Sequence, residues 1–187
     1  HATKFFNTLE GGGVATNDDE LAARIRLMRN FGFAGYDRVV CLGTNANMNE
    51  VSAAMGLTQL ESLDKFIEHN YRNYRQYVEE IERLPGVRMF RYDEREKCNY
   101  QYVVLEIDDT ASLSRDELME ILWAENVLAR RYFYPGCHRM EPYLAQFPDV
   151  AARLPETENL AGRVMQLPTG MSVGQTQIRQ VCHIIRF

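Results

Sequence analysis

Between Leu60 and Leu84 the chain keeps one helical period. Leu60, Leu63, Ile67, Tyr71, Tyr74, Val78, Ile81 and Leu84 step by three or four, which puts all eight on one stripe of an α-helix. The helical pattern reaches back to Asn47, where Asn47 and Glu50 have the spacing of a capping box, and Pro85-Gly86 stops it. From Asn47 to Leu84 this is either one helix or two with a kink. Unbroken, it would run on the order of 50 Å at 1.5 Å per residue, the reach of a connector between two domains.

The rest of the 187 residues alternates strand and helix. Val14-Ala15-Thr16 reads as a short strand. Asn17-Asp18-Asp19-Glu20 opens a helix with carboxylates in its first turn; Leu21, Ile25 and Met28 form its apolar face, and Gly32 and Gly35 end it. Residues 36–46 read as a loop around Gly43-Thr44-Asn45. Further on, Tyr100 to Ile107 is β-like. Ser114-x-x-Glu117 is a second capping box, ahead of Leu118, Ile121, Leu122 and Trp123. Val127 to Tyr134 reads as a strand ending at Pro135-Gly136, and Gln175 to Ile185 as a helix with Ile178, Val181 and Ile185 inward. The pattern predicts a mixed α/β chain: residues 1–46 as the tail of a large domain, residues 47–187 as the long helix and a small α+β domain.

Composition excludes several function classes. With 21 Lys+Arg against 26 Asp+Glu, the net charge of −5 argues against nucleic acid or anionic lipid as partners. No apolar run approaches the roughly 18 residues that span a bilayer. Cys41, Cys98, Cys137 and Cys182 stand far apart without a C-x-x-C pair, which fits reduced thiols in the cytoplasm rather than a zinc cage or disulfide framework. Four scattered histidines give no metal constellation, and His69 and His183, both in helical stretches, read as structural. Only Lys4, Lys65 and Lys97 among the cations are lysines. Arginine keeps its proton near neutrality and cannot act as an amine nucleophile, whereas lysine can, so each lysine invites a reason. On spacing alone, Lys4 is either a surface lysine or an amine held at a cofactor before the Glu10-Gly11-Gly12-Gly13 turn.

Four phrases in register decide between these. His1-Ala2-Thr3-Lys4 with Glu10-Gly11-Gly12-Gly13, Met28 to Phe33 (M-R-N-F-G-F), Gly43 to Leu57 (G-T-N-A-N-M-N-E-V-S-A-A-M-G-L), and Ala129 to Pro135 with His138, Pro142 and Tyr143 resemble the DegT/DnrJ/EryC1/StrS family of pyridoxal-phosphate (PLP) sugar aminotransferases. The resemblance covers essentially the whole chain. It implies a fold-type-I aminotransferase, here the end of the large cofactor domain plus the small C-terminal domain, acting as a homodimer whose subunits share each site. By resemblance Lys4 is the Schiff-base lysine, and as a lysine it favours transamination over dehydration, for which relatives carry histidine. Asn45 matches an asparagine that reaches the cofactor phosphate of the neighbouring subunit; taken by itself it is a turn residue. Many relatives have Arg or Lys where this chain has Asn47, which reads here as a helix cap. Tyr132, Tyr134 and His138 fall where the family's small domain faces the nucleotide sugar; core packing and a surface loop are their other readings. Strand alternation lets only one of Arg130 and Arg131 face that site.

The resemblance also implies parts that this stretch lacks. An aromatic residue stacking on the pyridine ring, an aspartate on its nitrogen and a serine before the motif histidine would all precede His1. The chain is therefore expected to be the C-terminal part of a longer polypeptide, inactive alone and completed by on the order of 150–200 residues. The expected reaction moves an amino group from L-glutamate onto a keto-deoxyhexose carried on a nucleoside diphosphate such as dTDP, at C4. C3 amination and a non-catalytic regulatory member of the same fold are the alternatives. The arginine bias suggests a GC-rich bacterium and, with it, deoxysugars of antibiotic biosynthesis.

Overall fold

The structure, a computed structural model, describes residues 1, 3–131 and 133–186. They divide into two units, His1–Leu63 and Asp64–Phe187.

The first unit holds α1 (Asp19–Met28), the short strands β1 (Phe33–Gly35) and β2 (Arg38–Val39), and α2 (Glu50–Glu61). Asp18 caps α1 by accepting from the Leu21 N–H at 2.9 Å, and Asp19 and Glu20 place negative charge at its N-terminal dipole. No side chain of α1 is fully buried. Three expectations need correction here. Among the described residues Val14 to Thr16 form no strand. The loop at 36–46 contains β2, which pairs antiparallel with β1, so Gly35 lies in a strand and does not end α1. Asn47 does not cap the next helix; Asn49 does, accepting from the Ser52 N–H at 2.8 Å. Of the two arrangements open for residues 47–84, the structure has two helices: α2 stops at Glu61 and α3 (Leu63–Ile81) starts beyond Ser62, which leaves the helical region with ψ near 1°.

The second unit is built on the stripe that the sequence announces. α3 buries Tyr74, Tyr77, Val78 and Ile81 and ends four residues before Pro85. A four-stranded antiparallel sheet follows in the order β3-β4-β6-β5: β3 (Val87–Met89), β4 (Val103–Ile107), β6 (Val164–Leu167) and β5 (Arg130–Arg131). Alternation gives the sheet two faces. Val103, Leu105 and Ile107 of β4, with Met165 and Leu167 of β6, join the core, while Val104 and Val164 point the other way. Two more helices cover the core side. In α4 (Arg115–Ala124), Leu118, Met119 and Leu122 are buried; in α7 (Gln175–Ile185), Ile178, Val181, Cys182 and Ile185 are. Each such side chain contributes about 1.5–3 kcal/mol when removed from water. The Ser114–Glu117 capping box closes α4 as expected, with Ser114 N–H donating to Glu117 Oε2 at 2.8 Å.

Among the described residues, the strand expected from Val127 to Tyr134 is confined to Arg130–Arg131. The chain past it makes a 3-10 turn at Cys137–Arg139 and the short helices α5 (Tyr143–Gln146) and α6 (Pro155–Ala161) before entering β6.

Candidate active site

Lys4 stands in a turn. Its N–H donates to the His1 carbonyl at 3.0 Å, and its carbonyl accepts from Asn7 Nδ2 at 3.3 Å. Asn7 Oδ1 in turn accepts from the Leu9 N–H at 3.2 Å, and the Thr8 hydroxyl donates to Glu10 O at 2.9 Å. Short polar side chains thus fold residues 4–10 back on their own backbone. This segment rests on α2: a Cβ on Gly56 would stand 2.9 Å from Thr8 Cγ2, closer than carbon atoms pack. Lys4 itself is exposed.

Asn45 belongs to the same unit. Its backbone forms an isolated antiparallel bridge with Asn30, and its side chain is exposed. Asn47, relieved of the capping role, donates through Nδ2 to Asn30 Oδ1 at 2.9 Å.

The remaining candidates lie in the second unit. Tyr132 falls outside the described residues. Tyr134 is 44% exposed, and two guanidiniums approach its ring: Arg115 Cζ at 5.0 Å and Arg131 Cζ at 5.3 Å from the centroid. Cations over a tyrosine face are drawn to its quadrupole. Asp116 Oδ1 joins the two arginines, accepting from Arg115 Nε and Arg131 Nε at 2.8 Å each. Partial burial works against the charged Asp116, but the two arginines outweigh it and hold its carboxyl below the usual range. Arg115 is only 2% exposed and donates through Nη1 to the carbonyls of Ala161 and Val164 at 3.0 and 2.7 Å.

His138 borders a cleft of about 760 Å³ on the open face of the sheet, lined among others by Phe90, Tyr92, Tyr102, Phe133 and Cys137. A cleft of that size with apolar walls and a few polar groups suits a small organic ligand. His138 Nε2 lies 2.5 Å from Glu158 Oε1. Arg139 Nε donates to both oxygens of the same carboxylate, at 2.7 and 2.9 Å. These bonds, Arg139's first and then His138's, pull the Glu158 carboxyl down to about 2. His69 has a structural place, its Nε2 lying 3.1 and 3.0 Å from the carbonyls of Gly170 and Val173.

Lys4 and Asn45 thus share one unit, and Tyr134 and His138 the other. Sequence reasoning missed Phe133, Arg115 and Glu158. Phe133 was within reach, being the residue between two singled-out tyrosines. Arg115 and Glu158 act at sequence separations of 46 and 20 residues and carry no spacing signal.

The chain belongs to the DegT/DnrJ/EryC1/StrS aminotransferase family, whose profile it matches over residues 1–186. It is 31% identical over 188 residues to the dTDP-4-amino-4,6-dideoxy-D-glucose transaminase of Shigella dysenteriae, covering 100% of this chain and 50% of that one. Among solved structures, DesI in the presence of its TDP-sugar product is 48% identical with a TM-score of 0.88, covering 100% of this chain and 47% of the other. The PLP form of Spr1654 from Streptococcus pneumoniae, 14% identical with a TM-score of 0.84 over 100% of this chain and 49% of that one, shares the fold. The chain spans about half the length of these relatives. The fold class is therefore the expected α/β fold of this family, whose cofactor is PLP.

Proposed function

We propose that the protein is a PLP-dependent aminotransferase that moves an amino group from L-glutamate to C4 of a keto-deoxyhexose carried on dTDP. The carrying observation is the placement of Lys4, an exposed primary amine on a turn packed against α2, inside the phrase that matches the family. The names of the Shigella transaminase and of DesI's TDP-sugar product favour dTDP as carrier, and the former favours C4. In this reading residues 1–46 end the large domain and residues 47–187 form the connecting helix and small domain.

The residues present fit the cofactor: an amine at Lys4 and an exposed amide at Asn45. When bound, PLP supplies the electron-withdrawing ring that lets an amino group leave one carbon and join another. Lys4 would hold the cofactor through Nζ and, as a free amine, would move the proton at the substrate carbon that loses or gains the amino group. Asn45 Nδ2 would donate to the cofactor phosphate of the neighbouring subunit in a homodimer. Tyr134 and His138, with Tyr132, contact the nucleotide sugar. The same reading places the protein in the cytoplasm, in deoxysugar biosynthesis serving antibiotic production. Among the described residues no helix is long and apolar enough to cross a membrane.

The test is borohydride reduction of the full-length protein with PLP, followed by peptide mapping. Cofactor mass on the peptide bearing Lys4, and labelled amino transfer from glutamate to a 4-keto but not a 3-keto dTDP sugar, is the expected result. An unmodified Lys4 peptide refutes the assignment.

A further inference from the structure

Glu158 makes contacts beyond what a surface carboxylate needs. It sits on α6, whose Thr157, Leu160 and Ala161 line the same cleft as His138. Its Oε1 takes the Nε2 edge of His138 and one bond from Arg139 Nε; its Oε2 takes Arg139 twice, through Nε and Nη2. One carboxylate therefore clamps the wall that carries His138 to the wall that α6 supplies. The opposite edge of the imidazole is left uncrowded. A Cβ at Gly136, which has φ +97°, would stand 2.7 Å from His138 Cε1 and 2.9 Å from Nδ1, so the missing side chain there keeps room beside Nδ1.

An ionised carboxylate has only acceptors to offer. A nitrogen at hydrogen-bond distance from it must carry a hydrogen, so the contact selects the imidazole tautomer with the proton on Nε2. In the neutral ring this leaves Nδ1 as the acceptor. A sugar hydroxyl, which can donate, is the complementary group.

We propose that Glu158 is a positioning residue for His138: its carboxylate holds the Nε2–H, and so makes Nδ1 the ring nitrogen that accepts from a hydroxyl of the nucleotide sugar. This rests on the reading of His138 as a substrate contact. Arg139 neutralises the carboxylate and keeps it aligned without touching the imidazole.

The test uses full-length holoenzyme with ¹⁵N-labelled histidine at pH 8.5, the His138 signals being assigned by their loss in His138→Ala. The wild type should show the Nε2–H pattern. Glu158→Ala should convert it to a mixture of tautomers and raise KM for the 4-keto dTDP sugar roughly tenfold, the scale for losing a partner that orients a functional histidine, with kcat within about twofold. Glu158→Gln, whose amide oxygen still accepts, should fall between the two and serves if the alanine variant folds poorly. Arg139→Ala should retain the Nε2–H pattern. A helix that needs Glu158 only for stability would shift the melting point and leave the tautomer unchanged; that result overturns the proposal. So does a raised KM in His138→Ala that Glu158→Ala does not reproduce, and in that case the substrate reading of His138 survives. An unchanged KM in His138→Ala refutes that reading instead, and the tautomer pattern then decides the role of Glu158 alone.

Discussion

The side-chain amide of Asn47 donates to Asn30 Oδ1 across 2.9 Å, joining residues 17 apart in the sequence. Around this bond the backbone is stitched three more times: Phe31 N–H to Thr44 O at 3.2 Å, Thr44 N–H to Met28 O at 2.8 Å, and Ala46 N–H to Arg29 O at 2.9 Å. The Met28–Phe33 phrase is thus the cradle for the loop that presents Asn45. Two of the four phrases that mark the family are two halves of one local structure.

Gly43 is where that cradle is tightest. A Cβ there would stand 2.3 Å from Gly32 N and 2.6 Å from Met28 O, and rigid backbone cannot yield as a side chain can. Gly43→Ala should destabilise the protein by about 1–3 kcal/mol, the usual cost of overpacking, and lower its retention of PLP. Urea denaturation and cofactor absorbance after gel filtration measure the two effects.

Lys4→Arg keeps the positive charge but removes an amine able to react near neutral pH. Because the side chain is exposed, folding should survive, with an unchanged circular dichroism spectrum. Transfer of labelled nitrogen from glutamate should fall by roughly a thousandfold, within the range that proton-transfer groups contribute. Activity within tenfold of wild type would remove Lys4 from the reaction.

Acid should loosen the cleft. Glu158 is held near 2 in the folded protein against an ordinary 4.5, through Arg139 and then His138, the two charged or titratable groups bonded to it. A depressed carboxyl stabilises the folded state above its unfolded value and loses that contribution as pH falls through the folded one. The loss therefore spans pH 4.5 down to about 2. Melting temperatures of wild type and Glu158→Gln should diverge above pH 4.5 and converge toward pH 2; parallel curves would contradict the pairing.

The cysteines should differ in reactivity. Burial, helped by Glu80 and opposed by Arg186, pushes the Cys182 thiol up to about 12, whereas Cys137 is exposed. The thiolate is the reactive form, so iodoacetamide at pH 8 should modify Cys137 and spare Cys182 until denaturant is added. Mass spectrometry of the two peptides reads the difference.

Features set by local rules were legible in the sequence. The Ser114–Glu117 box and the helix from Gln175 to Ile185 need only neighbours within a turn or two, and both stand as expected. What failed depends on distant partners. β3 and β6, three and four residues long, are too short to show a period and exist because β4 pairs with both. Asn47 and Asn49 are both suitable caps by type; the side chain of Asn30 decides between them by engaging Asn47. For the site, the residue types were legible while their supports were not: Lys4 and His138 stand out by identity, but Gly56 behind one and Glu158 beside the other emerge only in three dimensions.

The central pair of the sheet has a bearing on how the protein is made. β4 ends at Ile107, and its partner β6 does not begin until Val164. On the ribosome β3 and β4 can zip together early, yet one edge of that ribbon stays bare while more than fifty further residues emerge, and α7, which helps cover the oily side, comes later than β6. Closing so large a loop is slow, and meanwhile Val103, Leu105 and Ile107 offer a sticky template to other nascent chains. A chaperone that shelters this interval is what such a topology calls for.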